Sequence, residues 1–244
     1  MIIEKATIIT ARYSSSRYPG KILENITNKY KSIDILIKRA KKIKLPIILA
    51  TSSNADDDRL CNYVKKKYNI LIFRGSKKDK IKRWHDCFYK YKIHRACMID
   101  GDDLCFDFNL YKNNLNKKGL VASNKKIITG IFTNIIESDS LKKIYKISRK
   151  NKDTEMIEPF ISRSKIKKNY IKIKNLYLNK KIRLTFDYNE DLILLKIIFK
   201  NFKVLEKTEN FVKFLKKNNH ISKINYFREA NWKKNQRMKI ELIN

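Results

Sequence analysis

The sequence predicts an α/β protein: a Rossmann-like, mostly parallel sheet flanked by helices, with a small extended lobe. Three observations carry this. Short β-branched apolar runs alternate with helix-length amphipathic segments through about the first hundred residues, which calls for right-handed crossovers and parallel strands. Three of the five glycines, Gly20, Gly75 and Gly101, fall in or just past the loops after those runs, where such sheets bind ligands. A chain of 244 residues, 43% of them hydrophobic, buries enough surface for a core without disulfide or metal staples. One domain over residues 1–244 is expected, with its core at about 5–200 and a basic helical tail at 201–244.

The elements follow in order. Ala6-Thr7-Ile8-Ile9-Thr10-Ala11 is short, β-branched and uncharged, the pattern of a buried strand. Residues 33–43 place Ile33, Leu36, Ile37 and Ala40 on one helical face. Pro46 opens a second strand through Thr51, where its missing donor is harmless. A helix over 56–68 turns Leu60, Cys61 and Val64 inward, and residues 70–73 form a third strand. A helix over 79–91 leads to a fourth strand, 96–99, which ends at Asp100-Gly101-Asp102-Asp103. After Gly119 the alternation loosens. Residues 120–123 and 127–136 read as extended, 138–150 as a helix and 182–187 as a late strand. A helix over 189–202 follows, with Asn189 as its cap and Leu192, Leu195 and Ile198 inward.

The net charge is +33, from 57 Lys and Arg against 24 Asp and Glu. Such an excess suits nucleic acid, anionic surfaces or phosphate-rich ligands. The lysines are spread along the whole chain, however, and Lys, Asn and Ile share AT-rich codons. A solvated basic surface and no specific nucleic-acid partner are therefore expected. Cys61, Cys87, Cys97 and Cys105 form no C-x-x-C pair and have no histidine at ligand spacing, which argues against zinc. Met1-Ile2-Ile3-Glu4 does not open a signal peptide. No run approaches about eighteen apolar residues, so no membrane helix is expected. A soluble, cytoplasmic protein is the expectation.

Two motifs carry chemistry. The first loop, Ala11-Arg12-Tyr13-Ser14-Ser15-Ser16-Arg17-Tyr18-Pro19-Gly20-Lys21, sets three cations among three hydroxyls directly after a buried strand. Hydroxyls, free N–H groups and fixed cations are what a polyphosphate requires. It is not a P-loop, because no Gly-x4-Gly-Lys-Ser/Thr pattern occurs. The second motif, 100–103, puts three carboxylates at a strand end; it is either an acidic turn or a set of hard ligands for Mg²⁺. Asp187 ends the late strand similarly. Were those strands neighbours, Asp102 and Asp187 would share one cation, because clustered carboxylates repel.

Residues 11–21 resemble the opening signature of the CMP-sugar synthetases, the cytidylyltransferase group that includes the acylneuraminate and 3-deoxy-manno-octulosonate enzymes. The spore coat polysaccharide branch is the most similar. Further pieces follow in the family's order. Leu49-Ala50-Thr51-Ser52-Ser53-Asn54 with Asp57-Asp58 resembles "VATS…DD". Phe73-Arg74-Gly75-Ser76 with Asp79 and Arg83 resembles "FRGS…D…R". Asp100-Gly101-Asp102 resembles the metal-bearing "x-G-D". Gly130 to Leu141 resembles "G…E…L", and Thr154-Glu155 with Pro159 resembles "EHVTP". Residues 183–192 resemble "RLTVDxxEDL". Leu104, Asn134 and Met156 stand where the family has Pro, Glu and His.

The resemblance implies transfer of CMP from CTP to a sugar or sugar acid, with release of pyrophosphate, for surface polysaccharide or glycoconjugate synthesis. Arg12 and Lys21 would hold the triphosphate as the catalytic cations, with Ala11, Ser15 and Arg17 supporting them. Thr51, Arg74, Ser76 and Arg83 would frame the nucleoside. Asp102 and Asp187 would hold Mg²⁺. Gly130 and Glu155 would contact the acceptor, and a homodimer would be built on the extended lobe. Read from the residues alone, Arg17 pairs either with phosphate or with a surface acid, and Arg83 is either a ligand or a helix-face charge. A related nucleotidyltransferase using another nucleotide and a sugar phosphate is the alternative; a basic nucleic-acid-binding protein is the third reading.

Overall fold

The computed structural model describes residues 2–15, 17–124, 126–151, 153–179 and 181–241. Among the described residues seven strands form one sheet: β1 (Lys5–Thr10), β2 (Ile47–Ser52), β3 (Leu71–Gly75), β4 (Arg95–Asp100), β5 (Leu120–Ala122), β6 (Asn134–Glu137) and β7 (Lys168–Tyr170). The α-helices described are α1 (Ser32–Ala40), α2 (Asp58–Lys67), α3 (Lys80–Tyr91), α4 (Phe108–Asn114), α5 (Ser138–Ser148), α6 (Glu158–Arg163), α7 (Asn189–Asn201), α8 (Thr208–Lys217), α9 (Asn219–Tyr226) and α10 (Arg228–Glu241). The strand order is β3-β2-β1-β4-β6-β5-β7. β3, β2, β1 and β4 run parallel, and β6 runs antiparallel to both β4 and β5.

β1 and β4 lie at the centre, and their register pairs Thr10 with Asp100. Their carboxyl ends, carrying loop 11–21 and turn 100–103, therefore open side by side. Strand alternation sends Ile9, Leu49 and Ile99 into one apolar layer with α1, α7 and α8. Ile8, Ile48 and Met98 enter the other, against α3 and α5. Both faces are covered, which is why these strands read as continuous apolar runs rather than alternating ones. The α1 guanidinium of Arg39, fully buried, donates to Val204 O (2.8 Å), Glu206 O (2.9 Å), Phe106 O (2.7 Å) and Thr208 Oγ1 (2.7 Å). Those bonds fasten the C-terminal helices to the sheet domain's first helix.

Three local expectations are corrected. Residues 182–187 form no strand ladder: Leu184 N donates to Thr129 O (2.9 Å) and Phe186 N to Asp102 O (2.8 Å). The segment crosses from one neighbour to another, so no continuous partner accompanies it. Of the extended stretch 127–136, only its end joins the sheet, as β6. The cap of α7 is Tyr188, not Asn189: the Asp191 carboxylate at the third helical position accepts from Tyr188 N (2.9 Å) and from Asp187 N (2.7 Å). The sequence reading passed over α4, α6 and β7, which are short.

Gly130 marks the crossing. Its φ is +94°, and a Cβ there would lie 2.5 Å from the backbone C and O of Leu184. Only glycine lets the two chains pass this closely. Gly130→Ala is expected to lower stability by about 1–3 kcal/mol, read as a lower urea midpoint at unchanged slope.

Candidate active site

Loop 11–21 is shaped before any ligand arrives. Asp57, fully buried, accepts from Tyr13 N (2.5 Å) and Ser52 N (3.1 Å), and from the Ser52 hydroxyl. It thus ties the loop to the end of β2. Gly20 N closes the loop on Tyr13 O (2.9 Å), and Gly20 takes φ +77°. Beside it, Gly101 N donates to Thr10 O (2.9 Å). A Cβ on Gly101 would lie 2.7 Å from that of Ala11, so the acidic turn sits directly on the loop.

Lys21 is the hub. Its Nζ donates to Phe186 O (2.6 Å), Asp187 Oδ1 (2.8 Å) and Asp102 Oδ2 (3.4 Å). Three acceptors match the three N–H bonds of an ammonium. Arg17 Nη2 reaches the same Asp187 Oδ1 at 2.7 Å. The other oxygen, Asp187 Oδ2, accepts from Arg183 Nη2 at 2.9 Å. Arg183, with no exposure, also bonds Asp191 Oδ1 (3.2 Å) and Glu229 Oε2 (3.0 Å). Arg12 donates to Lys77 O (2.7 Å) and pairs with Glu155. Lys80 Nζ holds Asp100 Oδ1 at 2.6 Å.

The charges tune one another. Burial alone would raise the Asp187 carboxyl, but Lys21 and Arg17 outweigh it and hold the group well below the usual carboxylate range. Burial would lower the Lys21 ammonium; Asp102 and Asp187 raise it instead. Asp102 is pushed up by burial, with Asp187 and Asp100 adding repulsion against the opposing pull of Lys21. Asp103 is raised well above its ordinary value by burial, then by Asp102 and Asp100. Burial, with Arg12 nearby, brings Arg83 down to about 10.

A cavity of about 930 Å³ opens over these groups. Of the sequence-predicted residues, Ala11, Arg12, Ser15, Arg17, Lys21, Arg83, Asp102, Gly130 and Glu155 line it. Arg17 meets Asp187 rather than a surface acid, and Arg83 turns inward onto Ser76 O (2.5 Å). Asn134 and Met156 are also in the wall. Asp187 lies behind Lys21 with no exposure. Thr51, Arg74 and Ser76 are not in the wall. Thr51 is buried within the sheet. Arg74, on edge strand β3, is spent on Asp58 (2.5 Å) and the carbonyls of Ser52 and Asn54. The Ser76 hydroxyl accepts from Asp79 N (3.1 Å) at the entry to α3.

The acidic residues fit a hard divalent cation in part. One carboxylate oxygen each from Asp100, Asp102 and Asp103 lies within 4.8 Å of the others, and oxygen-only donors suit Mg²⁺. Both oxygens of Asp187 already carry cationic donors. Asp102 and Asp187 therefore meet through the Lys21 ammonium.

Sequence reading missed Asp57, Lys80, Arg183, Glu229 and Trp232 as parts of this site. Asp57 and Arg183 stood inside quoted motifs without a role. Glu229 and Trp232 carried no signal, because only the chain's return past residue 183 brings them here.

Asp187→Asn removes the anion shared by three cations. Breaking a buried pair costs about 3–5 kcal/mol, so the variant is expected to unfold at markedly lower urea at pH 7. The folded carboxyl titrates below its unfolded value of about 3.9. Its stabilisation is thus present above that pH and lost as pH falls further. The gap in urea midpoint between wild type and Asp187→Asn is expected to hold from pH 7 to about 4 and to begin narrowing below that, while remaining open at about pH 3.

Among relatives, the chain is 29% identical over 234 residues to an uncharacterized protein of Methanocaldococcus jannaschii, covering 89% of this chain and 93% of that one. A cytidylyltransferase from Leptospira borgpetersenii superposes with a TM-score of 0.79 at 22% identity, covering 91% of this chain and 97% of that one. A CMP:2-keto-3-deoxy-manno-octonic acid synthetase solved with CTP gives a TM-score of 0.61 at 12% identity, over 81% of this chain and 99% of that one. These likenesses share the fold. The sequence model of the family described as Cytidylyltransferase matches residues 6–235. With nearly all of the chain matched, the protein belongs to the cytidylyltransferase family.

Proposed function

We propose that the protein transfers CMP from CTP to a hydroxyl of a sugar or sugar acid and releases pyrophosphate. The observation that carries this reading is the convergence of Arg12, Arg17 and Lys21, on one tethered loop, with Asp100, Asp102 and Asp103 in one cavity. The synthetase that shares the fold at a TM-score of 0.61 was solved with CTP, which supports the choice of nucleotide.

In this reading Arg12 exchanges Glu155 for phosphate oxygens, which its guanidinium grips as a fork. Lys21 and Arg17 face the charge that develops as the acceptor oxygen bonds the α-phosphorus and the α–β bridging bond breaks. The hydroxyl proton leaves to solvent. Fixed cations in a partly buried site need little reorganisation at the moment of reaction, which is where such sites gain most of their rate. Asp102 would hold Mg²⁺ together with Asp100 and Asp103; Asp187, whose two oxygens are taken by Lys21, Arg17 and Arg183, would position Lys21 instead. When bound, the ion would neutralise charge on the α-phosphate and the departing pyrophosphate. A nucleotide substrate fits a cytoplasmic reaction. Synthesis of surface polysaccharide precursors and a homodimer built on the lobe belong to the same proposal.

CTP with Mg²⁺ is expected to raise the melting temperature more than UTP, GTP or dTTP does. At a hundred times its dissociation constant a ligand adds about 2.7 kcal/mol. A larger shift with another nucleotide favours the sister reaction on a sugar phosphate. Pyrophosphate release with a sugar-acid panel is expected to fall about 10²-fold or more in Lys21→Met, Arg12→Ala and Asp102→Ala. Full activity in Asp102→Ala would overturn the assignment of that residue.

A further inference from the structure

Helix α10 has almost no apolar stripe. Its run Arg-Glu-Ala-Asn-Trp-Lys-Lys-Asn-Gln-Arg from 228 to 237 holds one large hydrophobic residue, Trp232. Over residues 228–236 the contacts that seat this helix are mainly polar. Arg228 forks onto Glu190 at 2.7 and 3.0 Å. Glu229 takes Arg183 at 3.0 Å and accepts from Thr129 Oγ1 at 3.4 Å. The Trp232 ring lies over the Arg183 guanidinium, 5.6 Å from its centroid. Asn235 reaches the Tyr188 hydroxyl at 3.5 Å.

What this seating presents is a face of the cavity. Glu229, Trp232, Lys233 and Gln236 all line it. Their spacing of i, i+3, i+4 and i+7 places them on one helical face. A partly exposed indole beside amide and charged side chains, on a concave wall, matches the needs of a polyol. The ring's C–H face stacks on the aromatic surface while the hydroxyls take the amide and carboxylate. A cavity of about 930 Å³ stands near the top of the usual range, roughly 300–1,000 Å³, enough for a second reactant beside a nucleotide.

We propose that α10 is the acceptor-selecting wall: Trp232 is the platform for the sugar ring, and Gln236 contacts its hydroxyls. The inference rests on the CMP-transfer reading and adds specificity-determining residues to it. It also links the two substrates. Glu229 anchors α10 to Arg183, and Arg183 holds the Asp187 carboxylate that Lys21 shares. The acceptor wall and the triphosphate loop are thus joined by one chain of alternating charges.

The test separates acceptor from nucleotide. Wild type, Trp232→Phe, Trp232→Ala and Gln236→Ala are titrated with CTP by calorimetry. They are then titrated with 3-deoxy-manno-octulosonate, N-acetylneuraminate, glucose and mannose, following tryptophan fluorescence with and without CTP. Trp84, the other tryptophan, is buried but touches the cavity residues Thr10 and Lys80, so Trp232→Phe is the control that assigns a saccharide-dependent change to Trp232. At least one sugar is expected to change wild-type emission, and Trp232→Phe to abolish the change. With that sugar, Trp232→Ala is expected to raise acceptor KM tenfold or more, with kcat within threefold and CTP Kd within twofold. Trp232→Phe, which keeps a ring, is expected to recover most of that loss, and Gln236→Ala to raise KM severalfold. Normal CTP binding with no emission change from any sugar overturns the proposal, as does an acceptor KM unmoved by Trp232→Ala. Sugar-dependent emission in a chain that ignores CTP would keep the acceptor wall and remove the CMP-transfer reading.

Discussion

One buried ammonium organises this molecule. Lys21 has three N–H bonds and gives them to Phe186 O, Asp187 and Asp102. Those acceptors come from chain segments more than eighty residues apart. Taking an ammonium and a carboxylate out of water costs several kcal/mol each, and only good geometry with every donor satisfied offsets it. The requirement runs outward. Asp187 is shared with Arg17 and Arg183, and Arg183 in turn needs Asp191 and Glu229. Each buried charge is tolerable because the next one is present, so loop, acidic turn, crossing segment and terminal helix are set together.

The sheet makes the arrangement possible. Placing β1 beside β4 brings the first loop of the chain against a turn some eighty residues later. Glycine at 101 permits that contact, and glycine at 130 permits the crossing that delivers Asp187. Asp57 then holds the loop backbone from the side of β2. The result is a set of cations fixed in place before a substrate arrives. Glu155 on Arg12 and Asp102 on Lys21 balance that charge from within the protein.

The basic excess of the chain takes on a different meaning in this frame. The site cations Arg12, Arg17, Lys21, Lys80 and Arg183 each touch an acid. The local charge around the cavity is therefore far closer to balance than +33 suggests. Helix α10 follows the same logic: its described contacts run through Arg228, Glu229 and Asn235, and its indole lies on the Arg183 guanidinium.

The central strands and the helices beside them were legible in the sequence because parallel strands buried on both faces must be apolar runs, and the helices beside them must carry an apolar stripe. Loop 11–21 and turn 100–103 were legible as a cluster of cations and a cluster of carboxylates at strand ends, and the structure brings the two into one cavity. Strand pairing of 182–187 was misread, because an extended apolar segment has the same pattern whether it finds a ladder or crosses between partners. Arg74 and Ser76 were placed at the site on local chemistry, yet Arg74 sits on edge strand β3 bound to Asp58 and nearby carbonyls, and the Ser76 hydroxyl is used at the entry to α3. Glu229 and Trp232 left no local trace, and Arg183 stood in a motif that gave it no role. Their roles arise from contacts between residues tens of positions apart, and no spacing along the chain encodes which buried charge will meet which.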